Sequence, residues 1–268
     1  MYEKERDVAV EAALRAGDFI RMNVGRLQSS DIQEKSRHNL VTFVDDEAQR
    51  LIMGILQEAF PDHGFLGEEA TENSDTMGKN QTRWIIDPLD GTTNFIHGVP
   101  PFAVSIGLQM QGKMVVGVVY DIMHQELFTA TRGGGFFVNG VRKNVSQRTD
   151  LSQSLITTGF PFKEFEHVDA YLAVSRSFME KAMGLRRTGA SVIDLAYLAA
   201  GRFDGVFKMG YGAWDVAAGS LMIEEAGGKV TDFEGSNEWL FGGRLLASNG
   251  LIHDQIHELV EPLRNIGK

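Results

Sequence analysis

The sequence predicts a layered protein of mixed class, with an α+β first half and an α/β second half that meet near residue 150. Three observations carry this. Two amphipathic helical patterns open the chain, strand-like runs joined by turns fill its middle, and from about Leu151 strands and helices alternate. In the first helix Val8, Ala12, Ala16, Phe19 and Ile20 recur at helical spacing with charged residues between them. A second helix follows LVTFVDD, with Ala48, Leu51, Ile52, Ile55, Leu56 and Phe60 on its apolar face and Pro61 closing it. GFLGEEA reads as a short strand that turns into the carboxylates Glu68 and Glu69, and the polar TENSDTMGKNQT as a loop. Trp84, Ile85 and Ile86 form a short buried strand that Pro88 ends. FAVSIGLQM and MVVGVVYDI, separated by Gln111, Gly112 and Lys113, form a hairpin, and ELFTATRGGGFFVNG continues as strand and turn. Beyond them lie SLITTGF, a helix around residues 171–183, SVIDLAYLAAG and WDVAAGSLMIEEAGG, with Gly201 and Gly227 placed as C-terminal helix stops. The expected domains are therefore 1–150, carrying most of the candidate site, and 151–268.

Composition bounds the chemistry. A chain of 268 residues, 43% of them hydrophobic, can bury a large core. The formal charge of -10 argues against a broad nucleic-acid footprint, so no direct nucleic-acid partner is expected. The absence of cysteine excludes disulfides, thiolate metal sites and cysteine nucleophiles, leaving oxygen or imidazole as metal ligands. MYEKERDVAVEAAL lacks the apolar centre of a signal peptide, and no uncharged apolar run reaches the roughly 18 residues of a membrane span. A soluble, cytoplasmic protein with no membrane partner is the expectation.

Five acids stand beside strand ends or helix starts: Asp45, Glu68, Asp87, Asp90 and Asp215. Taken alone, Asp45 and Asp215 read equally well as helix caps and Glu68 as a solvated surface acid. Asp87 and Asp90 are different. In WIIDPLDGTTNF they sit at the mouth of an apolar run with no Lys or Arg between Asp87 and Phe95, so a bound cation or a distant residue must meet them. Two carboxylates and the Leu89 carbonyl supply hard oxygen ligands of the type Mg²⁺ prefers. Gly91, Thr92 and Thr93 then begin a helix whose free N–H groups can receive a phosphate, with Gly91 allowing close approach. A capped helix after a strand explains the threonines but not both aspartates. His97 and His124 read as loop residues without a catalytic part.

GEE at 67–69, WIIDPLDGTTNF at 84–95 and WDVAAGSLMIEEAGG at 214–228 resemble the signatures of the inositol monophosphatase family. The likeness extends to LVTFVDDEAQRLI and GASVIDLAYLAAGRFDG, and so over most of the chain. It implies a five-layer αβαβα sandwich of the sugar phosphatase type, a homodimer, dependence on two or three Mg²⁺ ions per active site, and sensitivity to Li⁺. Carried over by residue, Glu68, Asp87 and the Leu89 carbonyl would hold one metal, and Asp87, Asp90 and Asp215 a second. Thr92 with Asp45 is implied to orient and deprotonate the attacking water, Glu68 to belong to the same catalytic group, and the backbone of Gly91, Thr92 and Thr93 to bind phosphate oxygens. Ser191, Lys208 and Asp215 would face the substrate, and Lys35 would stand on a mobile loop near the metals. The three-residue step from Asp87 to Asp90 departs from the D-x-D-G-T of haloacid-dehalogenase-type phosphatases, which favours metal ligation over a nucleophilic role.

The implied function is Mg²⁺-dependent hydrolysis of a small phosphate monoester by metal-activated water, without a covalent intermediate. Lys208 departs from the glutamate that the family carries where it meets sugar hydroxyls. An ammonium cannot accept hydrogen bonds from hydroxyls and suits a second anion, which points to a bisphosphate such as fructose 1,6-bisphosphate or a nucleotide 3′,5′-bisphosphate. Alternatively Lys208 points to solvent or pairs with an acid such as Asp204. Arg186 and Arg187 could add positive charge near the substrate or at a dimer interface. From another class, the chain could be a metal-binding regulatory protein on a phosphatase scaffold, since some members of the family act with transcription machinery.

Overall fold

The computed structural model describes residues 1–36, 39–69, 73, 75–264 and 266. The chain opens with α1 (Glu3–Asn23), passes through a small antiparallel hairpin, β1 (Ile32–Ser36) and β2 (Asn39–Thr42), and enters α2 (Phe43–Ala59). It then lays down β3 (Gly64–Gly67) and β4 (Thr82–Asp90), the short α3 (Thr92–His97), and β5 (Ala103–Met110), β6 (Lys113–Asp121), β7 (Glu126–Thr131), β8 (Gly135–Val138) and β9 (Val141–Lys143). These seven strands, β3 to β9, lie side by side in chain order in one sheet, antiparallel except for the first pair. The later chain gives β10 (Leu155–Thr158), α4 (Val168–Lys181), β11 (Gly184–Arg186), α5 (Ser191–Ala199), β12 (Gly205–Met209), α6 (Ala213–Glu225), β13 (Lys229–Thr231), β14 (Arg244–Ser248) and α7 (His253–Leu259). Its five strands are ordered β11-β10-β12-β14-β13 in a second, mixed sheet.

Strand periodicity sorts the side chains into layers. Along β4, Trp84 and Ile86 pack with Ala12, Ile20, Val44 and Ile52 of α1 and α2, while Ile85 between them packs with Val192 and Leu221 of α5 and α6. In the second sheet Val206 and Leu245 face α5 and α6, whereas Phe207 and Leu246 face Phe178 of α4 and Ile256 of α7. The order is α1/α2, seven-stranded sheet, α5/α6, five-stranded sheet, α4/α7: five layers, as the resemblance implies. Both sheets are covered on both faces, which is why their strands read as continuous apolar runs. Gly117 permits the close fit of the middle layer, because a Cβ there would lie 2.7 Å from the Ala218 carbonyl oxygen of α6.

Several local expectations change. Pro88 does not end the strand: β4 runs on to Asp90 through a bulge, Asp87 facing Ser105 and Asp90 facing Ala103, so three steps on one strand match two on the other. Proline is tolerated at such a bulge because the ladder there asks for no N–H. Lys113 belongs to β6, leaving a two-residue turn in which Gln111 and Gly112 both have positive φ, 50° and 78°. The helix expected around 171–183 begins earlier, at Val168. Lys35 stands in β1 of the hairpin rather than in a loop, and its side chain lies outside the described residues. Part of TENSDTMGKNQT is also outside them; of the rest, Asp75 bridges to Leu66 and Thr82 starts β4. Among the described residues no helix is long and apolar enough to cross a membrane.

Candidate active site

The bulge at the end of β4 builds the centre of the site. It turns Asp87 and Asp90 out of the alternation that would send them to opposite faces or into the core. Asp87 is almost fully buried, and one of its oxygens accepts the Leu89 N–H at 3.1 Å. Asp90 accepts the N–H of Val192 at 2.7 Å, so it also caps the first turn of α5 across the two halves of the chain. Asp215, in the first turn of α6, accepts the Gly212 N–H at 2.7 Å and closes its own helix start. Oxygens of Asp87, Asp90 and Asp215 all lie within 4.8 Å of one another.

Such crowding has an electrostatic consequence. Burial first, then Glu68, Asp90 and Asp215, push the Asp87 carboxyl well above the usual carboxylate range. Asp90 is pushed up to about 8, mainly by burial and by Asp215, with Lys208 and the Val192 N–H opposing. Three acids that disfavour one another's charge, offering hard oxygens to one point, fit a divalent cation of the Mg²⁺ type. Glu68 adds a carboxylate to this group, sharing a hydrogen bond with Asp87, and the Leu89 carbonyl borders the same cleft.

Beside the acids the chain starts α3. Gly91 has φ 89°, a left-handed conformation, and a Cβ there would approach the Pro101 oxygen to 3.1 Å, so glycine is required on both counts. The Thr92 hydroxyl lies 3.0 Å from Asp45 Oδ1 and 3.1 Å from the Leu89 carbonyl oxygen. The other Asp45 oxygen accepts the Thr42 N–H and hydroxyl at 2.8 and 2.7 Å, while the Thr42 hydroxyl oxygen accepts the Val44 N–H. Asp45 is thus both the helix cap that the sequence allowed and a buried acceptor for Thr92. Its burial raises its pKa despite these hydrogen bonds.

One cleft, with a cavity volume of 240 Å³, is bordered by Glu68, Asp87, Leu89, Asp90 and Asp215, by Gly91, Thr92 and Thr93, and by Ser191 and Lys208. Asp45 lies one contact behind it, through Thr92. Lys208 does not pair with Asp204: its ammonium meets Asp194 Oδ2 at 2.7 Å and donates to Ser191 Oγ at 3.0 Å. Asp204 instead receives Leu155 N–H, Arg148 and Ser146. Asp194 escapes a reading by motif because its partner is 14 positions away on another element. Its only local signal is its place one turn after Ser191.

Two supporting residues also went unread. Gln49, fully buried on α2, donates to the Glu69 carbonyl at 2.7 Å and accepts the Glu69 N–H at 3.0 Å, fixing the backbone that carries Glu68. A polar residue beside Ala48 on an apolar helix face was the available signal. Gly67 must be small there, since its Cβ would come within 2.3 Å of the Gln49 amide oxygen. Asn94 donates to the carbonyls of Pro101 and Thr188 at 2.8 and 3.0 Å, tying α3 to the loop before α5.

Five layers thus place an acid-lined cleft at the end of a bulged strand. The chain belongs to the inositol monophosphatase family, whose model matches residues 1–265. It is 43% identical over 258 residues to the Nus factor SuhB of Pseudomonas aeruginosa, covering 96% of this chain and 95% of that one. It is 42% identical over 255 residues to the inositol-1-monophosphatase of Rhizobium meliloti, covering 95% of each. The crystal structure of extragenic suppressor protein suhB from Bartonella henselae superposes with a TM-score of 0.90 at 41% identity, covering 97% of this chain and 98% of that one.

Proposed function

We propose that the protein hydrolyses a small phosphate monoester of the inositol phosphate type, in a Mg²⁺-dependent reaction without a covalent intermediate. The observation that carries this is the convergence of Asp87, Asp90 and Asp215 beside the start of α3. Mg²⁺ held by Glu68, Asp87, the Leu89 carbonyl, Asp90 and Asp215 would supply Lewis acidity toward phosphate and an acidified water. The chain's own groups do the rest. Asp45, fixed by Thr42, draws the Thr92 hydroxyl proton to itself, which leaves the threonine oxygen turned to accept a proton from water. First-turn N–H groups of α3 lack intrahelical acceptors and can hold phosphate oxygens, with Gly91 keeping the approach open.

The test is phosphate release from inositol 1-phosphate by purified protein with Mg²⁺, beside Asp90→Asn. Activity in the wild type and its loss in a folded variant support the reading; a folded wild type inert on every monoester offered overturns it. A second reading is favoured by the relatives named Nus factor: the same scaffold acts with transcription machinery. That name bears on the expectation of no nucleic-acid partner, which net charge alone does not decide. Co-purification of RNA polymerase with the tagged protein, unchanged in Asp90→Asn, would support an interaction independent of the acids.

A further inference from the structure

Lys208 and Asp194 form a buried ion pair in the wall of the cleft. The ammonium lies 2.7 Å from Asp194 Oδ2, and the two side chains are 5% and 1% exposed. Lys208 nevertheless borders the cleft, as do Ser191, Gly91 and Thr92. It comes from β12 and Asp194 from the first turn of α5, so the pair forms only where the two elements meet. Asp194 is fixed in turn. Its Oδ1 accepts the Thr188 hydroxyl at 2.8 Å, and the Thr188 carbonyl accepts the Asn94 amide of α3 at 3.0 Å. The carboxylate is thereby tied to the helix that the phosphatase reading assigns to phosphate.

Resting on that reading, we propose that Asp194 is a specificity-determining residue: its carboxylate cancels the Lys208 ammonium, so that this wall rejects a second anion on the substrate and meets a neutral oxygen instead. Alone, a lysine bordering a phosphate cleft is a receptor for a second phosphate or carboxylate. Paired and buried, it presents no net charge. To capture an anion it would have to break a contact made in low dielectric, or bring the anion against Asp194. What the wall offers is a hydroxyl. Lys208 Nζ donates to Ser191 Oγ at 3.0 Å, which turns the Ser191 proton away from the ammonium. A hydroxyl so placed donates, and accepts through its remaining lone pair, as an alcohol oxygen requires and a phosphate dianion does not. The discrimination lies in the repulsive carboxylate, not in the want of a cation.

Calorimetry with Ca²⁺ in place of Mg²⁺ measures binding without turnover. The probes are inositol 1-phosphate and inositol 1,4-bisphosphate, and the quantity read is the ratio of their affinities. Asp194→Asn keeps an oxygen for the Thr188 hydroxyl but removes the charge, and should shift the ratio towards the bisphosphate roughly tenfold. Lys208→Gln leaves the carboxylate unopposed and should shift it the other way, below the wild type. The double variant is neutral again and should return the ratio towards the wild-type value, a rescue that a merely structural pair would not produce. If Asp194→Asn does not fold, the fall in Lys208→Gln and the recovery in the double variant decide the matter. A wild type that already binds the bisphosphate more tightly, or a ratio that the folded variants leave unmoved, overturns the role. Phosphate release from inositol 1-phosphate with Mg²⁺ is scored apart. An inert protein whose ratio still follows the charge refutes the phosphatase reading and leaves Asp194 its role, whereas an active protein with an unmoved ratio does the reverse.

Discussion

Asp204 and Asp87 are both aspartates 1% exposed, yet they sit in opposite kinds of surroundings. Asp204 is met on every side by donors: the Leu155 N–H at 2.7 Å, Arg148 at 3.1 Å and the Ser146 hydroxyl. It ties β10 to the segment before it and to the loop ahead of β12. Asp87 receives one backbone N–H from Leu89 and otherwise faces acids, Glu68, Asp90 and Asp215. Burial is therefore not what separates these two acids. What separates them is that the neighbours of Asp87 share its sign, an arrangement that a bound cation would relieve.

The largest test of that contrast is Asp87→Asn. Phosphate release is expected to fall on the order of a thousandfold, several kcal/mol of transition-state stabilisation, while thermal stability without metal stays level or rises because a repelled buried charge is gone. A variant as active as the wild type would break the comparison at once. The opposite pattern is expected of Asp204→Ala. Urea unfolding should show a loss of about 3 kcal/mol, since Leu155 N–H and Arg148 lose a buried acceptor, and the variant that remains folded should still release phosphate.

A third buried titratable group sharpens the comparison from the basic side. His253 is held between the Thr231 and Ser248 hydroxyls at 3.1 and 3.0 Å, and burial, with Lys229 and His257, pushes its pKa down to about 4. The fold keeps it neutral, whereas the unfolded chain takes up a proton near pH 6.5. Its contribution is complete above that pH and is lost as pH falls from about 6.5 towards 4, by up to roughly 3 kcal/mol. Unfolding free energies of wild type and His253→Gln, measured between pH 7 and 4, should converge as the pH drops; a constant gap would remove His253 from the account. The smallest effect is expected at the cap of α2. Thr42→Val removes the hydroxyl that accepts Val44 N–H and holds Asp45, for about 1 kcal/mol by urea unfolding, with a drop in activity beyond what the folded fraction explains.

Much of the site was legible because its groups are close in the chain. Asp87, Leu89, Asp90, Gly91, Thr92 and Thr93 fall within seven positions, and a strand end followed by a glycine-started helix keeps them together whatever the rest of the fold does. The layers were legible too, since period-two and period-3.6 apolar patterns report which faces are covered. Less legible was the path of β4 through Pro88. A bulge is decided by how the neighbouring strand aligns, here Ser105 and Ala103 of β5, and not by the proline itself.

By itself, then, the sequence determined the local chemistry: oxygen or imidazole as the available metal ligands, two acids three positions apart at a strand end, a glycine directly after them, and a lysine at position 208. Tertiary structure alone decided which distant groups meet. Asp215 comes to Asp87 and Asp90 because α6 packs against the seven-stranded sheet, and Asp45 comes to Thr92 because α2 covers its other face. Lys208 selects Asp194 over Asp204 because β12 and the start of α5 converge at one cleft, while Asp204 is already held by Arg148 and Leu155. Charge pairing acts over a few ångströms of space, and separation along a chain says nothing of that distance until the layers have packed.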